Sequence, residues 1–99
     1  MGEVFVRALL AADYEAVVTL WRASEGIGLS KADEFMPICR YLERNPDMSL
    51  VAEADGKIIG AVLCGHDGRR GYLHHLAIAA EFRGQGIGLQ LARGCLDKL

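Results

Sequence analysis

No stretch of this sequence stays apolar for the roughly 20 residues that a membrane-spanning helix needs. The opening residues, Met1-Gly-Glu-Val-Phe-Val-Arg7, lack the basic-then-apolar order of a secretory signal. Cysteine is scarce and odd in number: Cys39, Cys64 and Cys95 form no CxxC pair and stand at no metal-ligand spacing from His66, His74 or His75. They are expected to be reduced core thiols of a cytoplasmic protein with no metal. Two prolines are too few for a proline-rich linker. Excess positive charge is missing too: 11 Lys and Arg against 13 Asp and Glu give a net charge of −2. Nucleic acid and anionic membranes are therefore not expected partners, and any anion must be held by a local site. What is present is ordinary for a soluble globular domain, 52% apolar and 24% charged residues in 99. That length holds one domain, residues 1–99.

Residues 4–9 read as a first strand. Asp13 is a candidate N-cap, and Tyr14, Val17, Val18 and Trp21 fall on one face of a helix stopped by Gly26-Ile-Gly28. Ser30 and Asp33 make a capping-box-like pair before a second apolar stripe, Phe35, Ile38, Cys39 and Leu42. Pro37 inside that stripe is expected to bend or restart the helix, and Asn45-Pro46 to end it. Residues 50–54 and 57–64 flank Asp55-Gly56, a hairpin turn in which both positions tolerate positive φ. Alternation in the second arm groups Ile58 with Val62, and Ile59 with Ala61 and Leu63, as in a central strand covered on both faces. Residues 65–71 form another turn and 72–79 another strand. The last helix carries Leu91, Ala92, Cys95 and Leu99 inward and Gln90, Arg93 and Asp97 outward. The order β-α-α-β-β-β-α, with an antiparallel meander, defines an α/β (α+β) layered domain.

The chemistry concentrates where the fourth strand meets the last helix, at Arg83-Gly-Gln-Gly-Ile-Gly88. Gly84 permits a tight turn out of the strand, and Gly86 and Gly88 remove side chains where a ligand touches backbone amides. Open amides and the positive end of a helix dipole converge there, which suits a phosphate, and Arg83 adds a charge. The turn is not a P-loop, which ends in Gly-Lys-Ser/Thr. It is not a dinucleotide fingerprint either: the spacing is GxGxG, the preceding strands are antiparallel, and the sequence ends before the acidic residue's position about 20 further on.

With Leu76-Ala-Ile78 before it, Glu81-Phe-Arg-Gly-Gln-Gly-Ile-Gly88 resembles the acyl-CoA-binding motif R/Q-x-x-G-x-G/A of the GNAT N-acetyltransferase superfamily. The order of elements and the Asp-Gly hairpin agree with it. The turn Gly65-His-Asp-Gly-Arg-Arg-Gly71 is similar to that of small bacterial, YpeA-like members. The resemblance implies a GNAT-type fold and acetyl-CoA as cosubstrate. It implies that the amides of Gly84, Gln85, Gly86, Ile87, Gly88 and Leu89 hold the pyrophosphate beside Arg83. Leu76, Ala77 and Ile78 would pair with the pantetheine arm, and an amide there would polarise the thioester carbonyl.

The family's reaction is direct attack of an amine on the thioester, helped by proximity and by a base that keeps the amine neutral. Strand alternation puts Tyr72, His74 and Leu76 on one face and Leu73 and His75 on the other. His74 stands where serotonin N-acetyltransferase, a member, has a catalytic histidine, so it is the candidate base, with hydrogen bonding in the sheet as the alternative. His75 reads as structural, Tyr72 as packing or as cleft lining. Asp67, Arg69 and Arg70 read as a solvated turn. Glu25, Asp33 and Glu34 read as solvated helix ends, or as attractors of a cationic amine. Family members continue with a further β-α-β-β segment that supplies a cofactor-binding Asn and a Tyr acid, so the chain reads as truncated after the motif helix. That leaves an open sheet edge suited to a homodimer. Two functions stay open: an N-acetyltransferase acting on a small-molecule or protein amine, and a non-catalytic acyl-CoA-binding module or half-domain that needs a partner.

Overall fold

The computed structural model describes residues 3–99 of the chain. Its elements are β1 (Val4–Ala8), α1 (Tyr14–Arg22), α2 (Phe35–Arg44), β2 (Leu50–Ala54), β3 (Lys57–His66), β4 (Gly71–Ile78) and α3 (Ile87–Lys98). Single 3-10 turns occupy Ala11–Asp13, Lys31–Asp33 and Ala80–Phe82. The strands form one sheet, ordered β1-β2-β3-β4, with every neighbouring pair antiparallel. No described helix is long and apolar enough to cross a membrane.

Helices cover both faces. Leu50, Ala52, Val62 and Cys64 pack against Ile87, Leu91 and Cys95 of α3. Val51, Ala61, Leu63 and Ala77 pack on the other face against Val17, Val18 and Trp21 of α1 and Ile38 of α2. Each large side chain buried this way contributes about 1.5–3 kcal/mol. β3 departs from simple alternation. A bulge where Ala52 pairs with Gly60 but Glu53 with Ile58 puts Ile59 on the α3 face and Ile58 on the α1–α2 face. The expected grouping of these isoleucines is reversed, because one extra residue in the strand moves everything beyond it to the opposite face.

The helix starts also differ in detail from expectation. Pro37 lies in the first turn of α2, where its missing N–H has no intrahelical partner to lose, so it neither bends nor restarts the helix. The Ser30–Asp33 capping box forms, but around the short turn Lys31–Asp33 rather than at the start of α2. Asp13 precedes α1, yet its carboxylate accepts the Leu10 amide at 2.8 Å and both terminal guanidinium nitrogens of Arg7 at 2.8 and 2.9 Å. The Asp55-Gly56 turn has φ of 52° and 77°, as an Asp-Gly hairpin requires. Gly94 sits in α3 where a Cβ would come within 2.8 Å of Leu50 Cδ1, so its absence lets the helix lie close to β2. Leu99, expected inward, is 46% exposed at the end of α3.

Candidate functional site

Gly86, the residue that precedes α3, has a left-handed φ of 79°, and Gly84 two residues earlier has the same φ. Gln90 closes the first helical bond, to the Gly86 carbonyl at 3.0 Å. The amides of residues 84–89 donate to no acceptor among the described residues. A Cβ at Gly84 or Gly86 would meet nothing within 4 Å, and one at Gly88 would meet only Ile78 at 3.8 Å. Open amides, the positive end of a 12-residue helix and free space beside the backbone fit a diphosphate group. Arg83 flanks this cradle. Its Nε donates to the Ile78 carbonyl at 3.0 Å, which fixes the guanidinium at the end of β4.

β4 is an edge strand, paired with β3 alone. Leu63 pairs with His74 and Ala61 with Ala77, so Val62 stands opposite both His75 and Leu76. This bulge is accompanied by a left-handed φ of 55° at His75, which is unusual for a residue with a side chain. A groove of about 360 Å³ runs along the strand end between Leu76, Ala77, Ile78, Arg83 and Gly88 and the α1–α2 loop at Ser24 and Glu25. Leu76 is 42% exposed there, while Ala77 is buried in the α1–α2 core. Of the residues expected to hold the pantetheine arm all three line this groove, and of those expected at the pyrophosphate Arg83 and Gly88 do, while Gly84, Gln85, Gly86, Ile87 and Leu89 do not.

The bulge overturns one expectation. His74 and His75 do not lie on opposite faces: both line a cleft of about 390 Å³ on the α1–α2 side, with Pro37, Ile38, Tyr41 and Leu63. His74 is the more exposed, its ring stacked on Tyr72 at 6.0 Å between centroids. His75 is wedged in place. Its Nε2 lies 2.9 Å from Asp33 Oδ1, and its ring meets the edge of Trp21 at 5.0 Å. Asp33 is therefore no solvated helix end. It is buried, its Oδ2 accepts the Ser30 amide at 3.0 Å, and its carbonyl accepts the Tyr14 hydroxyl at 2.7 Å. Nothing local in the sequence signals this pair, which is 42 residues apart. The Trp21 indole N–H and the Tyr41 hydroxyl, next to the cleft, have no partner among the described residues.

Other candidates sit apart from the cleft. Tyr72 donates its hydroxyl to Asp67 Oδ2 at 3.0 Å. Asp67 also accepts the amides of Arg69 and Arg70, a self-contained exposed turn. Glu25 borders the groove rather than the cleft, and Glu34 is exposed before α2. Cys64 and Cys95 are buried, and burial pushes the Cys95 thiol up to about 12. Cys39 is half-buried on α2 rather than a core thiol.

Comparison with known proteins places these features in context. The acetyltransferase (GNAT) family pattern matches residues 14–99. An acetyltransferase of Pectobacterium atrosepticum is 39% identical over 99 aligned residues, covering 91% of this chain and 70% of that protein. One of Photorhabdus laumondii is 36% identical, covering 91% and 68%. Among solved structures, the diaminobutyrate acetyltransferase of Paenibacillus lautus, in complex with L-2,4-diaminobutyric acid and coenzyme A, superposes with a TM-score of 0.81. Its sequence identity is 24%, over 98% of this chain and 58% of that one. PaiA N-acetyltransferase of Thermoplasma acidophilum, in complex with coenzyme A, gives a TM-score of 0.81 at 19% identity, over 96% and 70%.

Proposed function

The chain belongs to the acetyltransferase (GNAT) family, and from that premise we propose that it transfers an acetyl group from acetyl-CoA to a primary amine by direct attack. The observation that carries this reading is the run of open amides at residues 84–89 at the start of α3, which meets at Gly88 a groove lined by Leu76, Ala77 and Ile78 of β4. In this reading the amides of Gly84, Gln85, Gly86, Ile87, Gly88 and Leu89 hold the coenzyme A pyrophosphate, with Arg83 beside them. Leu76, Ala77 and Ile78 offer the unpaired backbone of β4 to the pantetheine arm as an added strand. The bulge breaks the ladder where the thioester would lie, and an amide of that stretch polarises its carbonyl. His74, exposed in the cleft on the other side of the bulge, takes the proton of the attacking amine, directly or through water.

We assign residues 1–99 to a single GNAT domain, in a protein resembling the small bacterial, YpeA-like members. No residue here is assigned the general acid. The chain spans 70% of the Pectobacterium relative and 58% of the Paenibacillus structure, so the activity of the whole protein is part of the proposal. Supplying acetyl-CoA with a panel of amines and measuring the free thiol of released CoA tests it. Turnover dependent on both substrates is expected; CoA binding without thiol release for any amine would defeat the enzyme reading. A second reading, an acyl-CoA-binding half-domain, is favoured by the open β4 edge with Tyr72, Leu73 and Leu76 40%, 39% and 42% exposed. It calls for a stable pair of chains joined through that edge, and light scattering that finds only monomer counts against it.

A further inference from the structure

We infer that the cleft beside β4 takes a small amine with an apolar body, whose only charge is the reacting amino group. This deepens the acetyltransferase reading and rests on it for the reaction. At about 390 Å³ the cleft is near the lower end of small-molecule sites. Its apolar walls come from Pro37, Ile38 and Tyr41 of α2 and Leu63 of β3, and Ser30, His74 and His75 also line it. One carboxylate reaches it, and that carboxylate is already engaged. Asp33 Oδ1 lies 2.9 Å from His75 Nε2 and Oδ2 accepts the Ser30 amide at 3.0 Å, with the side chain 9% exposed. Trp21 packs edge-on against the imidazole and holds it against Asp33.

The consequence for a ligand is electrostatic. A second ammonium group, as in a diamine, would enter a mostly apolar space without a free carboxylate oxygen to accept from it and would lose its hydration. A lone amino group in the same surroundings is pushed toward its neutral form, which is the form that attacks a thioester. The pair thus acts as a specificity device: with Oδ1 held by His75 and Oδ2 by the Ser30 amide, Asp33 is not free to bond a second ammonium group.

Trp21 is the single tryptophan of the chain and touches His75, so its fluorescence reports on the cleft without requiring turnover. The test titrates the protein with 2-phenylethylamine, isoamylamine, 1,4-diaminobutane and spermidine, and measures CoA release with each. The two monoamines are expected to bind and react at least about tenfold better than the two polyamines, whose second charge stays unpaired. Equal or better use of the polyamines overturns the inference and leaves the transferase reading intact. So does a Trp21 signal that none of the four amines changes. The expected fluorescence ranking without any CoA release overturns the transferase reading and leaves the cleft assignment standing. His75→Asn then tests the pair itself, because Asn tolerates the left-handed backbone and removes the imidazole. The polyamine-to-monoamine ratio of kcat/KM should rise about tenfold, the scale of one charge-assisted hydrogen bond, and adding Asp33→Asn should cancel the rise. A uniform loss for all four amines, with the ratio unmoved, means the pair is only structural and overturns its role.

Discussion

Replacing Gly86 separates folding from binding at the start of α3. Its φ of 79° is left-handed, and a Cβ there meets nothing within 4 Å, so a side chain costs backbone strain and no packing. The bond that starts the helix, from the Gln90 amide to the Gly86 carbonyl, does not depend on residue type. Ala should therefore lose about 1–2 kcal/mol. In a domain of this size each kcal/mol lowers Tm by about 4–8 °C. Asn, which visits this region more readily, should lose less, and Glu about as much as Ala. Binding should follow another order. The Cβ of Ala projects into the space where a diphosphate would touch the amides. Glu adds a charge, repelling each phosphate charge by about 1–4 kcal/mol at contact distance, between the limits of water and protein surface. CoA affinity should fall roughly 100-fold or more for Glu, and far less for Ala. Calorimetric titration with CoA, alongside thermal unfolding of all three variants, reads both scales. Full CoA affinity in a folded Gly86→Glu protein would refute residues 84–89 as the pyrophosphate cradle. Losses of affinity that merely track Tm would refute the claim that the side chain acts on the ligand.

Four further outcomes are expected. His74→Ala should lower kcat by roughly 100-fold and leave CoA affinity unchanged; an unaltered kcat excludes His74 as base. The Arg7 guanidinium, bonded to Asp13, holds its carboxyl below the usual carboxylate range. A lowered folded-state value makes this contribution complete above about pH 4 and loses it as pH falls further. Asp13→Asn should thus flatten the acid side of a stability-against-pH curve by about 1 kcal/mol, a figure reduced for solvent screening of half-exposed Arg7. Burial raises the Cys64 and Cys95 thiols, so a disulfide reagent should modify only Cys39 quickly in the native state and all three cysteines after unfolding. Gly65→Ala should cost about 1–3 kcal/mol by overpacking, because its Cβ would lie 2.5 Å from the Tyr41 hydroxyl oxygen and 2.8 Å from the Asn45 amide, measured by denaturant unfolding.

Much of this architecture is legible in local sequence because local physics causes it. The Asp55-Gly56 turn needs two positive φ angles and has the residues that tolerate them. The apolar stripe of α1 buries Val17, Val18 and Trp21 as its spacing requires. The glycines of residues 84–88 turn the strand into the helix and leave its amides open. Each of these depends on neighbours in the chain, which a sequence displays directly.

The cleft beside His74 and His75 depends on something else. Period-two reasoning places His74 and His75 on opposite faces, and it fails because Val62 faces two residues of β4 instead of one. That bulge needs His75 at φ 55°, a conformation no histidine prefers by itself. Two tertiary contacts oppose that preference: the 2.9 Å bond from Asp33, reached through the α1–α2 connection, and the edge of Trp21 from α1. The side chain that looked structural and the carboxylate that looked solvated are thus bonded to each other, beside the bulge in β4. His75→Gly should keep the bulge, since glycine adopts this φ freely. His75→Val should strain it, because a β-branched residue at positive φ is a true outlier. If the bulge organises both the groove and the cleft, His75→Val should weaken CoA binding, although residue 75 does not line the groove proposed for CoA, and His75→Gly should largely preserve it. Equal CoA affinity in the two variants would mean that the groove forms without the bulge.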